Sequence, residues 1–155
     1  MFKANDRKIS LLVSLIAIAV GVNTVFAQTE QTNTLSSANE ITFINGKWKD
    51  IAAKARKDNK CIFVDAFTTW CGPCQQLKSV TFKDNSAAAY FNNNFINYAV
   101  DMEKGEGLEL AEKWDVTAYP ALLLFTPEGK LIIKQIGYVD GKQLVEFGKQ
   151  GLARK

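Results

Sequence analysis

The chain is 155 residues long, 47% hydrophobic and 23% charged, which provides for one globular core and one domain of ordinary size. It contains no histidine, which excludes a Ser–His or Cys–His catalytic pair, a histidine metal ligand and a c-type haem attachment site. A net charge of +3 spread over scattered lysines does not make a nucleic-acid surface, and three cysteines are too few for a disulfide framework.

Taken in chain order, Lys3, Arg7 and Lys8 precede an apolar stretch from Ile9 to Phe26. Val25-Phe26-Ala27 ends it with small residues at the two positions a signal peptidase reads. Ser10, Ser14, Asn23 and Thr24 interrupt the stretch and weaken it as a permanent membrane span. The expectation is a signal peptide over 1–27, cut after Ala27, with no stable membrane insertion afterwards. Cleavage removes three positive charges and one negative, leaving a near-neutral chain of net charge +1. Export, to the periplasm or otherwise beyond the cytosol, places the protein where disulfides persist. Residues 28–40 hold one large apolar side chain, Leu35, and read as a disordered leader.

Ile41–Ile44 predicts a short strand, and Trp48, Ile51, Ala52 and Ala55 recur at helical spacing with Asn59 as a stop. Cys61–Phe67 (CIFVDAF) predicts a strand buried on both faces of a sheet, with Asp65 the exception inside it. A helix carrying Leu77 and Val80 follows Trp70-Cys71-Gly72-Pro73-Cys74, and Asp84–Asn93 predicts another. Then come a strand from Phe95 ending at Asp101, a helix between Gly107 and Val116, and a second fully apolar strand over Pro120–Phe125. Pro127–Lys130 is a turn before a hairpin strand at Leu131–Ile136. Asp140 and Gln143 form a capping box for a last helix with Leu144 and Phe147 inward and Gly151 as its stop. This alternation predicts an α/β domain over 41–155, a central mixed sheet with helices on both faces.

The chemistry concentrates in Cys71-Gly72-Pro73-Cys74, placed where a buried strand gives way to a helix. Free N–H groups and a partial positive charge at a helix N-terminus stabilise a thiolate, so the pKa of an exposed Cys71 is expected to fall. Cys74 lies one turn further in, and Pro73 falls in the first turn, where its missing N–H does no harm. The two sulfurs either bond each other or pass a disulfide to another protein: Cys71 attacks, a mixed disulfide forms, and Cys74 resolves it. Zinc or iron–sulfur ligation fails for want of ligands, since only Cys61 remains. Haem would need histidine where Gln75 stands, and a purely structural bridge across so short a loop constrains little. Redox chemistry is favoured over all of these, with no metal and no cofactor. Cys61 shares a strand face with Phe63 and Asp65 and reads as an inert buried thiol.

The segments FVDAFTTWCGPC and WDVTAYPALLLFTPEGKLI, with Gly137, resemble the thioredoxin family over roughly residues 41–152. The resemblance implies a thioredoxin fold, Cys71 as nucleophile and Cys74 as resolving thiol of a redox-active disulfide. It implies that Pro120 is a cis proline facing the disulfide, that Tyr119 presents the substrate backbone, and that Trp70, Gly72 and Pro73 belong to the docking surface. Asp65, six residues before Cys71, matches the family's buried acid. A carboxyl inside an apolar strand should have a raised pKa and can accept or return the proton of Cys74.

Several positions depart from the family pattern. Asn97 and Gln75 stand where lysines are common, Ala121 where threonine is typical, and the helix after Cys74 lacks a kinking proline. The long segment Thr81–Phe95 looks more like exported bacterial thioredoxin-like proteins. These readings imply a reductase of protein disulfides with a membrane thiol-electron carrier as its reductant. The alternatives are a periplasmic oxidase or isomerase, and a binding or chaperone module that uses the groove around Trp70, Tyr119 and Pro120.

Overall fold

The computed structural model of the chain describes residues 39–155, so the expected signal peptide and nearly all of the expected leader lie outside the described residues. The elements are α1 (Trp48–Asp58), β1 (Cys61–Phe67), α2 (Gly72–Ser79), a 3-10 turn (Thr81–Lys83), α3 (Asn85–Asn94), β2 (Phe95–Asp101), α4 (Gly107–Lys113), β3 (Ala121–Phe125), β4 (Leu131–Ile136) and α5 (Gly141–Ala153). The four strands form one mixed sheet in the order β2-β1-β3-β4. The β1–β2 pair is parallel and the other two are antiparallel. The expected α/β architecture is therefore present.

Helices pack on both faces of the sheet, and β1, apolar except for Asp65, supplies buried side chains to each. Ile62, Val64 and Ala66 point to a layer built with Ile51, Ala52 and Ala55 of α1 and Leu110 of α4. Trp48 closes that layer against Trp114 and Phe125, with ring centroids 4.8 and 5.1 Å away. Cys61 and Phe63 point the other way, into a layer with Leu77 of α2, Ala87, Ala88 and Phe91 of α3, and Leu144 and Phe147 of α5. Asp65 follows Cys61 and Phe63 by the strand's two-residue period and so lies on the face that α2 covers.

Most boundaries follow local chemistry. Asn59 adopts the left-handed conformation that ends α1. The Asp84 side chain caps α3 by accepting the Ala87 N–H, and the Asp140–Gln143 capping box opens α5.

Three expectations are corrected. Ile41–Ile44 is not a strand: Ile41 N–H donates to Phe82 C=O, Thr42 N–H to the Asn92 side chain, and only Ile44 bridges to β2. Val80 lies beyond the end of α2 and is exposed, because the chain turns there into the 3-10 turn. Gly151 does not stop α5 but sits buried within it, since a Cβ there would fall 2.2 Å from Leu124 Cδ1. The glycine lets the helix lie close against β3.

Candidate active site

The site is assembled at one end of β1, where the chain leaves the sheet and opens α2. Cys71 is the N-cap residue of α2, with extended backbone, and Pro73 is in the helix's first turn. The sulfur of Cys71 accepts the backbone N–H of Cys74 at 3.1 Å, so it occupies the place where a serine or aspartate oxygen caps other helices. Cys71 and Cys74 are joined as a disulfide. The expectation of an exposed Cys71 is corrected: the residue is only 2% exposed, because in the bonded state its sulfur turns back over the first turn of α2. Thiolate at this N-cap would meet both the amide hydrogen and the helix dipole.

Asp65 is fully buried, and neither carboxylate oxygen accepts a hydrogen bond from the protein. Its strand neighbours, Ala99 on β2 and Leu122 on β3, are apolar. An ionised carboxylate in such a place lacks solvation, so burial pushes its pKa up to about 7 despite the opposing charge of Lys78. That shift agrees with the expectation from the sequence.

Lys78 was not singled out from the sequence. It lies four residues after Cys74 on α2, a spacing that places both on one helix face and could have revealed it. Its ammonium sits 3.1 Å from the centre of the Phe67 ring. Asp65 and Lys78 both line a cleft of about 370 Å³, together with Thr42, Phe43, Phe82 and Ala99. Asp65 lies behind the wall of this cleft, itself fully buried. Asn97, where a lysine was noted as common, is buried and bonded instead to Thr42 and Asn92.

The loop before β3 reaches the same end of the molecule. The Tyr119–Pro120 peptide bond is cis, and Tyr119 meets Trp70 edge to face with ring centroids 6.1 Å apart. The carbonyl of Pro120 accepts the N–H of Gly137, whose φ of 94° suits glycine. Trp70 is 67% exposed, and its indole N–H donates to Glu103 at 2.9 Å. Glu103 escaped the sequence reading, since 33 residues separate it from Trp70 and no spacing links them. Gly72 has open space around its Cα, leaving the backbone between the two cysteines accessible. Cys61 is a free, buried thiol whose pKa is raised by burial, as an inert core cysteine should be.

The disulfide opens α2 just after β1, Asp65 lies within β1, and the cis Tyr119–Pro120 bond precedes β3, the strand paired with β1. Among the described residues no cluster of side chains could hold a metal ion. The profile of the thioredoxin-like domain matches residues 48–152 of this chain. A thioredoxin from Mycoplasmoides gallisepticum is 28% identical over 106 residues, covering 65% of this chain and 99% of that protein. The thiol:disulfide interchange protein DsbD of Yersinia pestis is 26% identical over 98 residues, covering 61% of this chain but only 16% of its own length. Among solved structures, a protein assigned as a disulphide-isomerase from Bacteroides thetaiotaomicron superposes with a TM-score of 0.67 at 41% identity, covering 75% of this chain and 96% of its own. With the matched profile spanning the whole site, the chain belongs to the thioredoxin-like family of thiol–disulfide oxidoreductases.

Proposed function

We propose that the chain is an exported reductase of protein disulfides, working through the dithiol form of Cys71 and Cys74. The observation that carries this reading is the sulfur of Cys71 at the N-cap of α2, bonded to the Cys74 amide. The Cys71 thiolate attacks one sulfur of a client disulfide, and the other client sulfur leaves as a thiolate. Cys74 then gives its proton to Asp65 and attacks Cys71, breaking the mixed disulfide and releasing the second client thiolate. Two electrons pass from the dithiol to the client, and the protein is left with its disulfide.

Asp65 suits the proton step because its pKa of about 7 lets it both take up and return a proton near neutrality. Trp70 and Tyr119, with the exposed Gly72 and Pro73, form the surface on which the client segment lies, and the buried cis Pro120 sets the course of the chain beneath Tyr119. A donor of two electrons must restore the dithiol, and outside the cytosol that points to a membrane-embedded thiol carrier. The similarity to part of a thiol:disulfide interchange protein supports exchange with a protein thiol partner. Among the described residues no helix is long and apolar enough to cross a membrane.

Cys71→Ser is expected to abolish reduction of insulin disulfides, and Cys74→Ser to accumulate mixed disulfides with clients. Activity retained by the first variant would overturn the assignment. Direction is read from the equilibrium potential: a value near −270 mV fits a reductant, whereas about −120 mV would make the protein an oxidant. Export is tested by sequencing the N-terminus of the secreted protein, with Gln28 expected first.

A further inference from the structure

Trp70 is the most exposed large apolar side chain among the described residues, yet it is held at two points. Its indole N–H donates to Glu103 Oε2 at 2.9 Å. Its ring stands edge to face against Tyr119, with an interplanar angle of 82°. Exposed indoles with neither restraint sample several rotamers, and this one is confined beside the nucleophile.

Glu103 is itself fixed from the sheet. Its backbone N–H donates to Asp101 Oδ1 at 3.1 Å, and Asp101 is the last residue of β2, beside the central strand. The other carboxylate oxygen of Asp101 pairs with Lys104 at 3.1 Å. Both acids also act on Tyr119: burial is the main cause that raises its hydroxyl pKa, and the charges of Glu103 and Asp101 add to it. The restraint therefore runs from the end of β2 through Asp101 and Glu103 to the indole.

We propose that Glu103 is a positioning residue for client capture, its carboxylate holding the Trp70 indole in one orientation so that a client segment meets a preformed surface beside Cys71. The inference rests on Trp70 belonging to the client surface. Ordering a free indole on binding would cost affinity, and doing so before the client arrives removes that cost. The effect belongs to capture rather than to chemistry, because Glu103 touches neither cysteine nor Asp65 among the hydrogen bonds of the site.

The test is insulin reduction by the purified protein with Glu103→Ala, Glu103→Gln and Trp70→Ala, combined with acrylamide quenching of the Trp70 emission, isolated by difference from Trp70→Ala. Glu103→Ala is expected to raise KM roughly threefold to tenfold with kcat within about twofold, and to increase quenching. Glu103→Gln keeps an oxygen able to accept the indole N–H and is expected to restore both values. An unchanged KM in Glu103→Ala, or a loss confined to kcat, would overturn the role. So would a Gln variant as impaired as the Ala variant, since the effect would then come from charge. Trp70→Ala with an unchanged KM would instead overturn the client-surface reading itself, whatever the quenching shows.

Discussion

A single carboxyl, Asp65, carries the proton step of the proposed mechanism. The ordinary pKa of aspartate is about 3.9, and that of Asp65 is raised to about 7 in the folded protein, chiefly by burial. The folded state therefore binds this proton more tightly than the unfolded state does. Stability from this group is complete below about pH 4, falls as pH rises to about 7, and then levels off. Asp65→Asn removes that slope, so its stability relative to the parent should improve by up to about 4 kcal/mol between pH 4 and pH 8. Guanidinium melts at the two pH values measure it, and parallel behaviour of the two proteins would refute the raised pKa. Lys78 pulls in the opposite direction, holding the acid below the value burial alone would give. Lys78→Gln should move the pH midpoint of Cys74 resolution to a higher value, while Lys78→Arg should leave it nearly in place. Stopped-flow decay of the mixed disulfide across pH 6 to 9 would show either result.

Among the elements, α2 is fastened to the core by two buried side chains, Cys74 and Leu77, and its remaining support comes from the N-cap sulfur and the cleft face around Lys78. The longer α5 depends on its ends and on close approach. Asp140→Ala removes one half of the capping box and should cost about 1 kcal/mol in a denaturant titration. Gly107, at the start of α4, is less forgiving: a Cβ there would lie 1.9 Å from the backbone oxygen of Asp101, which cannot rotate away. Gly107→Ala should lose about 2 kcal/mol or more, and by shifting the end of β2 should also loosen Trp70. Thermal melts and Trp70 quenching report the two effects separately.

What was legible at this scale depended on whether the signal was local. Cys61–Phe67 and Leu131–Ile136 stand out as apolar or hairpin runs between breakers, and both strands have those bounds. The Asp140–Gln143 cap was equally legible, three residues apart. Ile41–Ile44 looked the same as a strand, but whether its N–H groups enter a ladder depended on Phe82 and Asn92, far along the chain. Gly151 carried the usual mark of a helix end, and only Leu124 across the interface explains why it lies inside one. At the site, the motif and the family resemblance marked Cys71, Cys74, Asp65 and Pro120, where the structure has the disulfide, the buried carboxyl and the cis bond, whereas the Glu103–Trp70 contact arises from tertiary approach.

For the molecule as a whole, redox state and folding are linked. A folded structure that favours the disulfide is a weak oxidant, and the same preference makes the oxidised form the more stable one. A reductase should therefore melt at a higher temperature oxidised than after treatment with dithiothreitol, and calorimetry of the two forms tests this. The opposite order would mark a protein that stabilises its dithiol and drives oxidation. There is also a consequence of placing an unpartnered carboxyl in a chain with no histidine. In the oxidised form the paired cysteines do not titrate, and burial moves the Cys61 thiol further above neutrality. Among the described residues whose pKa the fold displaces, Asp65 is the one brought to about 7. The Asp65 carboxyl carbon resonance followed through that range should trace its transition, so that the molecule carries its own indicator of the proton that the proposed mechanism moves.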